Sequence, residues 1–157
     1  MDVRLTTLVY LEREGKYLML HRTKKEGDVN RDKWIGVGGK LEAGESPEDC
    51  MRREVLEETG LSVLSFRFRG IVTFVSDRDG DEYMFLYTVS DWSGSIGSCD
   101  EGELAWVDRK RLSELTLWEG DRIFLDLLAK EHPFFSLKLR YTGDRLAESE
   151  LDGVPLA

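Results

Sequence analysis

Residues 39–61 read GKLEAGESPEDCMRREVLEETGL, from Gly39 to Leu61. Within this stretch Ser46 suits a helix N-cap, Pro47 the first helical position, and Glu48 and Asp49 the positive end of a helix dipole. Gly60 supplies a stop, because glycine enters the left-handed conformation without penalty. The spacing therefore predicts a helix over Ser46–Thr59. Glu54, Glu57 and Glu58 stand at i, i+3 and i+4 of that helix, and at ~100° per residue they leave one face. Three carboxylates so close repel one another and drive their pKa values up, a conflict that a divalent cation removes. Hard oxygen ligands suit Mg²⁺, with Mn²⁺ as the alternative, and no His or Cys spacing points to zinc.

Upstream of the helix, Gly36-Val37-Gly38-Gly39 places three glycines in four positions, where a backbone can bend sharply or approach a ligand. Further back, Leu5–Leu11 and Tyr17–His21 read as two strands of a hairpin around the turn Glu12–Lys16, and the polar Thr23–Lys33 reads as a surface loop. Downstream, Ser62–Val75 and Tyr83–Val89 are β-rich runs joined through Ser76–Asp81, and Ala105–Val107 is a short strand candidate. Ile123, Phe124, Leu127 and Leu128 recur at helical spacing within Glu119–Glu131, and His132-Pro133 ends that segment. Phe134–Tyr141 alternates apolar with polar residues before the turn Thr142-Gly143-Asp144. Residues 1–157 are expected to form one domain, with 142–157 as a hairpin or a flexible tail.

The 157 residues are 41% hydrophobic, enough to fill a core of one-domain size. A formal net charge of -9 argues against binding a long nucleic-acid backbone, which requires clustered Lys and Arg. A small phosphorylated ligand remains compatible with that charge when a metal ion supplies the positive field. Cys50 and Cys99 form no C-x-x-C pair and no charged-then-apolar leader opens the chain, so a reduced, cytoplasmic protein is expected. Charged residues interrupt every apolar run well short of the roughly 20 residues that span a bilayer, so no membrane partner is expected. Oligomeric state is left open.

Acidic residues at helical spacing ordinarily make a solvated face, and the three glutamates alone would be read that way. The full spacing G-x5-E-x7-R-E-U-x-E-E-x-G-U, with U aliphatic, changes that reading. It is met by Gly39, Glu45, Arg53, Glu54, Val55, Glu57, Glu58, Gly60 and Leu61. At ordinary residue frequencies its seven fixed positions would match by chance with a probability on the order of 10⁻⁹ per start site. This segment resembles the signature of the Nudix hydrolases without a departure. The resemblance implies an α/β/α sandwich with a mixed β-sheet, in the α/β (α+β) class. It implies Mg²⁺ ligation by Glu54, Glu57 and Glu58, with the Gly39 or Gly38 carbonyl as a further ligand and Arg53 and Glu45 in support. The general base is either Glu54 or a glutamate on a later loop, where Glu101 sits at the position such a residue usually takes, with Glu103 as fallback. Glu101 then also serves as a metal ligand. Arg22 and Lys40 resemble phosphate contacts.

The motif does not select the leaving group. Trp34–Lys40 and Leu117–Asp121 are similar to the MutT-type branch, whose members include hydrolases of oxidised purine triphosphates. By that resemblance Trp118 stacks on a base, and Glu119 or Asp121 reads its edge. Animal enzymes of the branch carry Asn where this chain has Ile35, so base recognition differs in detail. The expected reaction converts a nucleoside triphosphate, 8-oxo-dGTP or a related oxidised purine nucleotide, to the monophosphate and pyrophosphate. The alternative is an ADP-ribose or other nucleoside diphosphate-X pyrophosphatase, which commonly carries a proline after the motif; Ser62–Ser90 has none. A non-catalytic nucleotide sensor or an RNA-decapping role fits less well, given the intact carboxylates and the acidic balance.

Overall fold

The computed structural model describes residues 3–24 and 27–156. Lys25 and Glu26, in the expected Thr23–Lys33 loop, lie outside the described residues. The chain builds a mixed sheet from β1 (Val3–Arg13), β2 (Lys16–Arg22), β3 (Trp34–Ile35), β4 (Ser62–Ser76), β5 (Asp81–Ser93), β6 (Gly102–Asp108), β7 (Phe135–Thr142), β8 (Arg145–Leu151) and β9 (Val154–Pro155). Its helices are α1 (Pro47–Thr59) and α2 (Glu119–Ala129), with a short 3-10 segment at Arg109–Glu114. The hairpin, α1, α2 and the long β4–β5 pair stand where the periodicity predicts them, and the structure adds β3 and the 3-10 segment.

The hairpin strands pair antiparallel only near their turn, from Leu11↔Leu18 to Arg13↔Lys16. Beyond Leu18, β2 turns away from β1 and takes β3 at Leu20 and His21, while β6 pairs along its other edge. The gap on the β1 side is filled by the glycine-rich segment, which bridges to β1 at Val9↔Val37 and Thr6↔Lys40. The other edge of β1 runs parallel to β5, which pairs antiparallel with β4; β4 in turn runs parallel to β7. β8 and β9 continue antiparallel from β7, so residues 135–155 form a meander at one side of the sheet.

Alternation along the strands divides the core in two. Leu8, Tyr10, Tyr17 and Met19 face α2, where Phe124, Leu125, Leu127 and Leu128 pack; Val9, Leu11, Leu18 and Leu20 face α1, against Met51 and Val55. The mixed sheet is thus covered by a helix on each face, an α/β/α arrangement. Each fully buried aliphatic or aromatic side chain contributes about 1.5–3 kcal/mol, which fixes the register of β1 and β2 because a one-residue slip would exchange the two faces.

Both ends of α1 are capped. Ser46 Oγ accepts the Asp49 N–H at 3.0 Å, the Asp49 carboxylate accepts the Ser46 N–H at 3.0 Å, and Gly60 closes the helix at φ 82°. Its last turn contains no basic residue, although Glu57 and Glu58 lie there, against the negative end of the dipole. Local stability is thereby sacrificed at the place where the carboxylates gather.

Candidate active site

The glycine-rich segment reaches the carboxylates of α1 because no side chain stands between them. Gly38 adopts φ 145°, and a Cβ there would lie 2.1 Å from the Thr7 carbonyl oxygen; a Cβ on Gly39 would lie 2.6 Å from the Glu54 carboxyl carbon. The Thr7 N–H donates to the Gly39 carbonyl at 2.9 Å, and the Cys50 thiol, a weak donor, lies 3.5 Å from the same oxygen. The Gly38 N–H donates to Glu58 Oε2 at 2.7 Å.

Glu58 is buried and its Oε1 has no hydrogen-bond partner. Burial first, and then the facing Glu101 carboxyl, push its pKa up to about 9. Burial also raises Glu54, against the pull of Arg53. Glu57 points outward and is mostly exposed. Arg53 ties this set together: Nε and Nη2 grip Glu45 at 2.7 and 2.9 Å, and Nη1 reaches Glu54 at 2.8 Å and Glu57 at 3.2 Å. Nη2 also donates to the Lys40 carbonyl at 3.0 Å. The Arg53 hydrogen bonds hold Glu45 down at about 2. Arg53 thereby joins the loop to the helix and contacts three of the carboxylates at once.

A divalent cation fits this chemistry. Glu58 and Glu101 face each other with one Glu58 oxygen orphaned, and beyond the Gly38 N–H on Glu58 and the Arg22 guanidinium on Glu101, a shared proton or a cation relieves the repulsion that remains. No three acidic side chains among the described residues converge as a finished ligand set, since Arg53 draws Glu54 and Glu57 toward itself.

A cavity of about 530 Å³ is bordered by Gly39, Lys40, Glu54 and Glu101, and also by Trp118 and Asp121. Lys40 projects at its rim. Arg22 is buried on its wall, with Nε on Asp28 at 2.7 Å and Nη1 on Glu101 at 3.3 Å. Arg22, expected from the sequence to face phosphate, is thus engaged by two carboxylates and holds Glu101 in place. The structure separates the two acids expected beside Trp118. Asp121 is buried in the cavity wall, and burial, with Glu82 nearby, raises its pKa to about 8. Glu119 is exposed and borders a shallow outer depression with Lys33 and Arg122 instead. Glu103 is exposed as well and pairs opposite His21 in the β2–β6 ladder.

Trp118 N-caps α2, packs perpendicular to the Tyr141 ring with centroids 5.5 Å apart, and donates from Nε1 to Asn30 Oδ1 at 2.8 Å. The Tyr141 hydroxyl accepts the Gly120 N–H at 2.7 Å, tying β7 to the first turn of α2. Phe74 and Met84 add apolar wall. Sequence reasoning did not single out Asn30, Phe74, Met84 or Tyr141. The last three sit in regular strand alternation, which resembles any core pattern, and Asn30 lies in a polar loop without periodicity.

The NUDIX domain family matches residues 2–128. An uncharacterised Nudix hydrolase of Bacillus subtilis is 31% identical over 147 residues, covering 90% of this chain and 88% of that protein. An oxidized purine nucleoside triphosphate hydrolase of Danio rerio is 28% identical over 152 residues, covering 96% of each chain. The crystal structure of a MutT protein from Bacillus halodurans superposes with a TM-score of 0.85 at 26% identity, over 97% of this chain and 99% of that one. Similarity spread over almost the whole length, coinciding with the glycine, glutamate and arginine geometry of residues 39–61, makes this chain a MutT-type pyrophosphohydrolase of the Nudix family.

Proposed function

We propose that the protein hydrolyses a nucleoside triphosphate, 8-oxo-dGTP or a related oxidised purine nucleotide, to the nucleoside monophosphate and pyrophosphate, with Mg²⁺ as cofactor. Its role would be to clear damaged nucleotides from the cytoplasmic pool. The observation that carries this reading is a single cavity bordered both by the carboxylate and glycine cluster and by an indole beside a buried acid. Such a cavity takes a phosphate chain and a flat, hydrogen-bonding base together.

In this proposal Glu54, Glu57, Glu58 and Glu101, with the Gly39 carbonyl, hold the cation. The cation supplies charge neutralisation on the phosphate oxygens and lowers the pKa of water. Lys40 contacts the phosphates from the rim. Arg22 acts through Glu101, keeping it against the cavity, and Glu101 is the best-placed carboxylate outside α1 to accept the proton of an attacking water. Trp118 stacks on the base and Asp121, protonated near neutral pH, exchanges hydrogen bonds with its edge. The oxidized purine nucleoside triphosphate hydrolase of Danio rerio, similar along the full length, supports the choice of substrate class.

The test is Mg²⁺-dependent product release from a panel of 8-oxo-dGTP, dGTP, the other triphosphates, ADP-ribose and diadenosine polyphosphate. Preference for an oxidised purine triphosphate with pyrophosphate released is the expected result. Preference for ADP-ribose would keep the cation site and discard the Trp118 clamp. Heavy-oxygen water should label the monophosphate if the α-phosphorus is attacked, with pyrophosphate leaving, or the pyrophosphate if the β-phosphorus is attacked, with the monophosphate leaving; the latter is expected.

A further inference from the structure

Asn30 sits in the loop between β2 and β3, and it borders the same cavity as Trp118 and Asp121. An indole N–H only donates, so the contact from Trp118 Nε1 at 2.8 Å assigns the acceptor of the Asn30 amide to Oδ1. The amide NH₂ is left without a partner among the described residues. Its position is tightly held. Asp28 Oδ1 accepts the Asn30 N–H at 3.0 Å, while Asp28 Oδ2 takes Arg22 Nε at 2.7 Å. The Lys33 N–H returns to the Asn30 carbonyl at 2.9 Å, and the Arg22 N–H closes the loop on the Lys33 carbonyl at 3.0 Å. Lys33 lies over the Trp118 ring at 4.8 Å and borders the outer depression, so that side of the indole is already covered. On its other side the indole borders the cavity, whose lining brings two polar side chains, Asp121 and Asn30, beside it.

Those two groups differ in what they accept. A carboxyl with a pKa near 8 carries both a donor and an acceptor at neutral pH and is satisfied by an amine or a carbonyl alike. The Asn30 NH₂ only donates. An exocyclic amine placed there sets N–H against N–H, whereas a ring carbonyl completes a hydrogen bond that water would otherwise have to supply.

Resting on the nucleotide reading above, we propose that Asn30 is a specificity-determining residue whose amide NH₂ donates to a carbonyl of the bound base, selecting oxo-purines over amino-purines. The Asp28–Arg22 pair is the positioning device behind it. Because Arg22 also holds Glu101, the loop that reads the base and the carboxylate that faces the phosphates are braced by one guanidinium.

The substitution Asn30→Asp separates this role from a structural one, since a carboxylate still accepts from Trp118 Nε1 but offers no donor to the base. Binding of 8-oxo-dGMP, dGMP and dAMP is measured by calorimetry in the presence of EDTA, so the readout does not depend on turnover or metal. The unsubstituted protein should favour the two oxo-purines by about tenfold, the size of one net hydrogen bond. Asn30→Asp should lose that preference, its affinity for the oxo-purines falling about tenfold while that for dAMP holds or rises. Asn30→Ala, followed by thermal unfolding, reports what the Trp118 contact adds to stability, and it too should lose the oxo-purine preference. An Asn30→Asp protein with the same oxo-to-amino ratio as the unsubstituted one overturns the assignment of Asn30 alone. Failure of the unsubstituted protein to bind any of the three overturns the nucleotide reading and the inference with it.

Discussion

Asp121 carries a carboxyl that burial keeps protonated through neutral pH, and this has a thermodynamic signature. Its folded pKa of about 8 lies above the ordinary 3.8, with Glu82 adding to the rise and Arg122 and Lys33 opposing it. Between those values the folded chain keeps a proton that the unfolded chain releases, so its contribution to stability is fully present below pH 3.8 and is lost as pH rises through 8. Urea unfolding at pH 5, 7 and 9 should show that Asp121→Asn removes part of the decline toward alkaline pH. An unchanged slope would mean that Asp121 is ionised in the fold. Base binding should follow the same titration, weakening above pH 8 as the donor is lost. At this scale the sequence was informative about residue types but not about neighbours. Trp118 was legible with two acids beside it, and only the turn of α2 decides that Asp121 enters the cavity while Glu119 meets solvent. Arg22 resembles a phosphate contact in the sequence, where Asp28 and Glu101, 6 and 79 residues away, show nothing of their approach to it.

At the scale of the element, α1 is a helix whose final turn is unfavourable without a cation. Glu57 and Glu58 oppose the dipole, and Arg53 is the cation of α1 that bridges Glu45, Glu54 and Glu57. Arg53→Ala should therefore reduce apparent Mg²⁺ affinity by about 10–100-fold, the usual cost of losing a group that orients metal ligands. An Mg²⁺ titration of turnover checks this, with Arg53→Lys expected to restore little because it cannot grip Glu45 through two nitrogens. Glu57→Gln should reduce turnover about a hundredfold while leaving unfolding unchanged or raising stability by about 0.3–1 kcal/mol, because one charge at the wrong end of the helix is gone. A stable variant with comparable turnover would remove Glu57 from the cation site. The boundaries of α1 were readable because its caps are local chemistry, Ser46 with Asp49 at one end and Gly60 at the other. β3 was not readable: Trp34 and Ile35 become a strand only because β2 parts from β1 after Leu18 and leaves Leu20 and His21 to be paired. The Gly38–Gly39 insertion into that same gap depends on β1, which meets it at Val9↔Val37 and Thr6↔Lys40, and the glycines alone could not specify it.

For the whole molecule, the two halves of the cavity belong to different layers. Glu54 comes from α1 on one face of the sheet and Glu101 from the loop before β6, whereas Trp118 and Asp121 come from the start of α2 on the other face. β7 is central to the second half. Leu137 and Leu139 are fully buried, Tyr141 accepts from Gly120, and β8 covers the outer edge of the strand from Leu137↔Leu151 to Thr142↔Arg145. Leu146 and Leu151 of β8 pack against the α2-side core. Removing residues 144–157 would bare the β7 edge and strip those two half-buried leucines, at a cost of about 2 kcal/mol or more, since a fully buried aliphatic contributes about 1.5–3. Differential scanning calorimetry should register this as a fall in Tm of about 6 °C. The loss should be uneven: with β7 freed, the Tyr141 anchor of Trp118 and Asp121 loosens before α1 does, so KM for an oxidised purine triphosphate should rise more than the Mg²⁺ requirement. Equal loss of both would show that the two layers are coupled more tightly than the separate cores imply. The opposite order would place the base cavity's support in α2 alone, independent of the meander that residues 135–155 form.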